Sequence, residues 1–207
     1  MSAETIQLRT RTRLLDAALH LIRAQGYSAT SVDDICREAG LTKGAFFHHF
    51  RSKEDLALAA AAHFSEMAER LFAAAPYRGL GDPLDRLLGY VDFRSAILTG
   101  PIPDFTCLLG TMVQEAYDTH PPIRRACEAH IGTHLAEIAK DIAAAKALYA
   151  SDAPWSVESL ALYTQAVLQG AFILAKAGGG SEVARDCVAH LRRYLEQLFN
   201  RPTSKEE

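Results

Sequence analysis

Residues 31–50 read SVDDICREAGLTKGAFFHHF, and this stretch decides the fold. Ser31 is a good N-cap, Asp34 three residues on favours the positive end of a helix, and the helix they start runs over Val32 to Ala39. Gly40 ends it, Thr42 caps the next, and Lys43 to Phe50 forms a second short helix. Two short helices joined by a glycine-containing turn of about three to four residues have the dimensions of a helix-turn-helix. Phe46 and Phe50 stand on one face and belong with Leu21, Val32 and Ile35 in a small core, while Ala39 is small where the helices approach. Lys43, Gly44, Phe47 and His48 then point outward. The N-terminal residues of a recognition helix reach base edges, and cations and hydroxyls hold phosphates, a task that suits Thr42 and Lys43, with Gly44 permitting close backbone approach.

Outward from this stretch, apolar residues recur at helical spacing almost everywhere and strand-like alternation never persists, so the chain is all-α with about nine helices. Leu14, Leu15, Ala18, Leu21 and Ile22 stripe a first helix that Gly26 stops, with Arg9, Arg11 and Arg13 clustered before it. Ser52 caps a long fourth helix that reaches about Ala75 and joins a three-helix head to a larger helical domain. Five further helices are expected over about 82–98, 104–119, 121–149, 157–177 and 182–200, with Gly178 to Gly180 as a tight return and RPTSKEE as a frayed tail. The expected domain division is 1–52 for the helix-turn-helix and 53–207 for the rest.

Composition narrows the function. The chain has 207 residues, a formal charge of -3 and 49% apolar residues, enough for a packed core. Up to Asp55 there are eight Lys/Arg against seven Asp/Glu, and beyond it fourteen against eighteen, so the cations that meet phosphates are local clusters. No membrane span and no secretory signal are expected, and the location expected is cytoplasmic. Cys36, Cys107, Cys127 and Cys187 lack metal or redox spacing and read as reduced thiols. The sequence holds no catalytic or nucleotide-binding motif, so no enzyme and no cofactor are expected. His130 and His134, with Glu137 or Asp141, share a helix face, but no fixed motif supports a metal there.

The run TSVDDICREAGLTKGAFFHHFRSKEDL closely resembles the DNA-binding signature of the TetR family of transcriptional regulators, strongly over about Arg13 to Leu58 and more diffusely over the whole layout. That resemblance implies that the third helix enters the major groove of double-stranded DNA at an inverted-repeat operator, and that the larger domain is a ligand-binding and dimerisation domain. Carried over, the DNA-facing residues are Thr30, Ser31, Thr42, Lys43, Gly44, Phe47, His48 and Lys53. Phe47 departs from the family, which usually has tyrosine there, so a hydroxyl contact to phosphate is missing and a thymine-methyl contact is open to it.

In the larger domain, the helices near 157–177 and 182–200 are apolar on more than one side, and Ala166, Gly170 and Ala177 allow the close approach of a homodimeric four-helix bundle. Candidate pocket residues for a small-molecule effector are Phe64, Met67, Tyr90, Phe93, Ile97, Phe105, Met112, Glu115, Tyr163 and Phe172, with Glu115 and Gln114 as polar anchors. Cys107 looks like the cysteine of a family branch in which some members respond to electrophiles or oxidants, and a buried inert thiol is the other reading. The reading as a whole is a ligand-responsive repressor released by a small apolar or electrophilic effector. Its alternative is a helical protein-protein adaptor without DNA readout.

Overall fold

The computed structural model describes residues 3–200, and the tail expected to fray lies outside them. It contains nine α-helices of seven residues or more: α1 (Ala3–Gln25), α2 (Val32–Ala39), α3 (Lys43–His49), α4 (Lys53–Ala73), α5 (Pro83–Ala96), α7 (Leu108–Ala116), α8 (Pro121–Tyr149), α9 (Val157–Leu174) and α10 (Gly180–Leu198). A single-turn helix, α6 (Ile102–Phe105), precedes α7. The all-α expectation holds, with three differences in the boundaries. Arg9, Arg11 and Arg13 lie inside α1 rather than before it. The helix expected over 104–119 is split at Thr106–Cys107, where Cys107 becomes the N-cap of α7 with Sγ accepting from Gly110 N at 3.5 Å. The return between α9 and α10 is a five-residue π turn over Ala175–Gly179, so the last helix begins at Gly180.

The packing divides the described residues into two compact units whose limits are not those of 1–52 and 53–207. The first comprises the chain up to Glu69 together with Thr106–Ile131; the second comprises Arg70–Phe105 and the residues from Gly132 on. In the first, α1 packs against α2, α3 and α7. Its core joins Leu14, Leu15, Ala18, Ile22, Ile35, Phe46 and Phe50 of the head to Leu56, Leu108, Met112 and Ile123. In the second, α10 lies on α5 and α9, burying Leu84, Leu87, Leu88 and Val91 with Leu160, Leu168, Val188 and Leu191. Arg192 of α10 pairs with Asp92 of α5 at 2.6 Å and also with Glu196.

Local chemistry accounts for the α2–turn–α3 geometry. Ser31 Oγ accepts from Asp34 N at 3.1 Å while Asp34 Oδ2 accepts from Ser31 N at 3.0 Å, a reciprocal capping box. Gly40 closes α2 at φ 61°, ψ 40°, in the left-handed region where a side chain is strained. Its N–H reaches Arg37 O at 3.1 Å, and Arg13 of α1 donates to the neighbouring Ala39 carbonyl.

Candidate nucleic-acid interface and effector region

The eight residues carried over for DNA contact separate into two groups. Thr30 is only 1% exposed and its hydroxyl donates to Gly26 O at 2.6 Å. Lys53 turns inward: Nζ donates to the Tyr27 and Thr30 carbonyls, each at 3.0 Å, and sits 4.2 Å from the Tyr27 ring centroid. Burial pushes its ammonium pKa down. The Thr30 hydroxyl is therefore closed within the α1–α2 turn, and two of the three Lys53 donors fasten that turn to the start of α4.

Ser31, Thr42, Lys43, Gly44, Phe47 and His48 are exposed. Ser31 is nevertheless occupied, because its hydroxyl lies 2.6 Å from Asp34 Oδ2 as well as capping α2. Thr42 accepts Ala45 N at 3.2 Å and keeps its own hydroxyl proton for an outside acceptor. Lys43 pairs with the exposed Asp33 at 2.8 Å, and that hydrogen bond raises its pKa. A phosphate would have to take the place of Asp33. Phe47 is 58% exposed, resting edge-on against Phe46 with ring centroids 5.1 Å apart. His48 Nε2 is 3.4 Å from Gln7 Nε2 of α1, and the guanidinium of Arg11 lies 5.5 Å from the Phe50 ring centroid, so the start of α1 borders the same face. His49 is half-buried beside it, and burial lowers its pKa. The face thus offers a hydroxyl, one cation, an imidazole, an aromatic ring and a helix start with no side chain at its second position.

The pocket candidates do not converge as expected. Phe64, Met67, Cys107, Met112 and Glu115 fall in the first unit; Tyr90, Phe93, Ile97, Phe105, Tyr163 and Phe172 fall in the second. Met112 is fully buried in the first core, and Met67 is 43% exposed. Phe64 carries Arg23 over its ring at 5.8 Å. Glu115 points back to the head, its Oε2 accepting Ser28 N at 2.7 Å, and Gln114 is spent on the Gly110 carbonyl of its own helix at 2.8 Å. Cys107 is partly buried at its cap, near the fully buried Cys127, whose thiol burial pushes up to about 12. Tyr163 faces out against Tyr194, ring centroids 5.0 Å apart. Ile97 caps the end of α5, and Phe105 is buried in α6.

Tyr90, Phe93 and Phe172 do come together, around residues that the sequence did not single out for a pocket. Phe72 lies at 5.8 Å from both Tyr90 and Phe93 and at 5.0 Å from His134. Tyr77 approaches Tyr90 at 5.9 Å. His134 Nε2 is 3.0 Å from Tyr90 Oη, and burial, assisted by Arg94 and Arg78, drives its pKa down to about 4. It is neutral at pH 7. Arg94 stands with Cζ 5.3 Å from the Phe72 ring centroid and 5.5 Å from that of Phe172. A shallow cleft, open to solvent and with room for about one water (≈ 10 Å³), lies beside this cluster between Tyr77, Tyr90, His134, Glu137 and Asp141, and Asp141 pairs with Arg86 at 2.7 Å. A signal existed for two of the missed residues. Arg94 continues the Leu84, Leu87, Val91 stripe of α5, and His134 continues the Ile123, Cys127 stripe of α8, each a polar residue at an inward register.

An all-helical chain with a capped helix-turn-helix at its N-terminal end has the architecture of a DNA-binding regulator. The comparisons agree. Residues 14–60 match the family of bacterial regulatory proteins, tetR family, and residues 83–191 match the tetracyclin repressor-like C-terminal domain. The chain belongs to the TetR family of transcriptional regulators, DNA-binding proteins rather than enzymes, which bind operators typically as dimers with small-molecule effectors. It is 28% identical to a TetR transcriptional regulator of Chloroflexus aurantiacus, with a TM-score of 0.81 over 93% of this chain and 97% of that one. It is 49% identical over 47 residues to the regulator AcrR of Shigella flexneri, 23% of this chain and 22% of that one. With the transcriptional regulator AcuR of Cereibacter sphaeroides it shares 32% identity over 102 residues, 49% of this chain and 47% of that one. The chain thus spans less than half the length of these two curated relatives.

Val157–Leu198 is apolar and long enough by composition to cross a membrane, with 33% of its most apolar window buried. Among the described residues, Leu162, Ala166, Ile173 and Ala177 line one exposed side of α9 and the turn after it.

Proposed function

We propose that this chain is a ligand-responsive repressor that binds a pseudo-palindromic operator as a homodimer in the cytoplasm. Residues 1–52 read DNA through Thr42, Lys43, Gly44, Phe47 and His48, with Ser31 at the margin, and residues 53–207 dimerise and take up a small apolar or electrophilic effector. The observation that carries the reading is the outer face of α3, where an aromatic ring, a cation and a capping hydroxyl stand in solvent although the opposite face supplies the buried Phe46.

Dimerisation is supported by the exposed stripe on α9. Leu162 and Ile173 are 58% and 48% exposed, and a Cβ added at the intervening Gly170 would meet no atom within 4 Å. A stripe of this kind suits an isologous seam, since each copy presents the same small and apolar residues to the other. Two recognition helices in such a dimer address successive major grooves about 34 to 36 Å apart. Effector and operator then compete by linkage, each weakening the other by the same factor.

The test is selection of bound duplexes from random DNA by the purified protein at two salt concentrations. Enrichment of an inverted repeat whose affinity falls steeply with salt is the expected result. Retention of no particular sequence, with α9-dependent capture of another helical protein, would replace the repressor with the adaptor.

A further inference from the structure

The geometry points to Arg94, set in the second unit against Phe72 and Phe172, as the anchor for the carboxylate of a small aromatic or apolar acid, with the α9 face that carries Gln165 and Gln169 as the flank for its polar groups. This inference rests on the ligand-responsive reading and names the chemistry of the effector.

Among the described residues, three side-chain polar atoms, all in the second unit, are sealed from solvent without a hydrogen-bond partner: Arg94 Nε, Gln165 Oε1 and Gln169 Nε2. Folded proteins leave few such atoms, because each costs the desolvation of a polar group without return. Phe172 links them through α9. Gln165 and Gln169 stand one turn apart on α9, and Phe172, three residues further along the same face, is one of the two rings that hold the Arg94 guanidinium. Arg94 of α5 thus meets the α9 face that carries the two amides at its Phe172 end, and its other ring, Phe72, belongs to the aromatic cluster with Tyr90, Phe93 and His134.

Among the described residues no acid pairs with Arg94, two rings flank its guanidinium, and its Nε is sealed without a partner. The nearby Asp141 is taken by Arg86 at 2.7 Å and approached by Arg78 at 3.8 Å. A half-buried guanidinium whose Nε is sealed without a partner loses part of its solvation in the free protein and regains it once an anion arrives. With rings on its faces, the guanidinium has its edge left to donate, and that edge matches a planar carboxylate by two parallel N–H···O bonds. One uncompensated positive charge calls for one negative charge, which favours a carboxylic acid over a doubly charged phosphate. The rings supply an apolar bed for the body of the ligand, and the two amides suit a hydroxyl or carbonyl on it, since a hydroxyl both donates and accepts.

The experiment is calorimetric titration of the full chain, free of DNA, with three acids (benzoate, phenylacetate and 4-hydroxybenzoate) and with the neutral amide of each. At least one acid is expected to bind tenfold or more tightly than its amide, and Arg94→Met is expected to abolish that preference. Arg94→Met removes a cation that has no acid, so without ligand its Tm should equal or exceed that of the parent; a lowered Tm would mark Arg94 as a structural residue and overturn the assignment. Arg94→Lys keeps the charge and loses the planar edge, and should weaken the acid without restoring the amide. Equal binding of acid and amide in all three pairs, or an acid preference that survives Arg94→Met, overturns the inference. Operator binding followed in parallel separates it from the broader reading. Acids that bind through Arg94 but leave operator affinity unchanged would uphold the anchor and end ligand-controlled repression. Release of the operator by neutral compounds alone would do the opposite.

Discussion

Replacing Gly44 by alanine should make the protein more stable and a poorer DNA binder. Gly44 is the second residue of α3 and its φ is not positive, so no special backbone conformation calls for glycine there. A Cβ built on it would meet only Thr42 Oγ1, at 3.7 Å, an ordinary van der Waals contact. The free protein therefore has room for the methyl group and gains helix propensity, about 0.5 to 1 kcal/mol. For a chain of this size such a gain raises Tm by about 2 to 4 °C per kcal/mol. In the proposed complex the same methyl group would stand where backbone and DNA approach. An operator affinity about tenfold weaker, near 1.4 kcal/mol, is the expected cost. The salt slope should stay the same, because no charge changes. Denaturant titration gives the first quantity, and fluorescence anisotropy with a selected operator at several salt concentrations gives the other two. Parent-like affinity with raised stability would refute the placement of the DNA face. A loss of stability would refute the claim that the glycine has open space around it.

Lys43→Ala should reduce the magnitude of the salt slope of operator binding by about 0.9, the value for one phosphate contact, while leaving Tm unchanged because its pairing with Asp33 is exposed. Lys53→Met should do the reverse: no change in salt slope, but a destabilisation of about 2 kcal/mol by denaturant titration, since two carbonyls lose a charged donor. His134 links stability to pH. Its folded pKa, about 4, lies below the ordinary 6.5; the unfolded chain therefore binds the extra proton first, and stability is fully present above pH 6.5 and lost as pH falls towards 4. At 1.36 kcal/mol per pH unit the loss approaches about 3 kcal/mol, and His134→Gln should flatten that part of a Tm-against-pH curve.

The head was legible because its signals are local. Ser31, Asp34, Gly40 and Thr42 each act within a turn of their own position, and the structure contains the caps that they imply. The inward bonds of Thr30 and Lys53 were not legible because the direction of a side chain near a helix end depends on what lies behind it. Here that is the backbone of residues 26–30, a contact 23 residues away in the chain for Lys53 and Thr30. The effector region was hardest to read. Its cluster draws Phe72 from α4, Tyr90 and Arg94 from α5, His134 from α8 and Phe172 from α9, and spacing within one helix carries no information about which residues of four helices meet. Large side chains alone were a poor guide, since Met112 is core and Tyr163 is surface.

The carboxylate of Glu115 holds the N–H of Ser28, an amide in an exposed turn that would otherwise exchange freely with water. It also fills the space over Gly26, where φ is 93° and an added Cβ would lie 2.2 Å from Glu115 Oε1. The Ser28 amide proton is thus a built-in reporter. Its exchange rate and its chemical shift register whether α7 still grips the turn that leads into the reading head, and a single labelled amide can be followed without any label on DNA or effector.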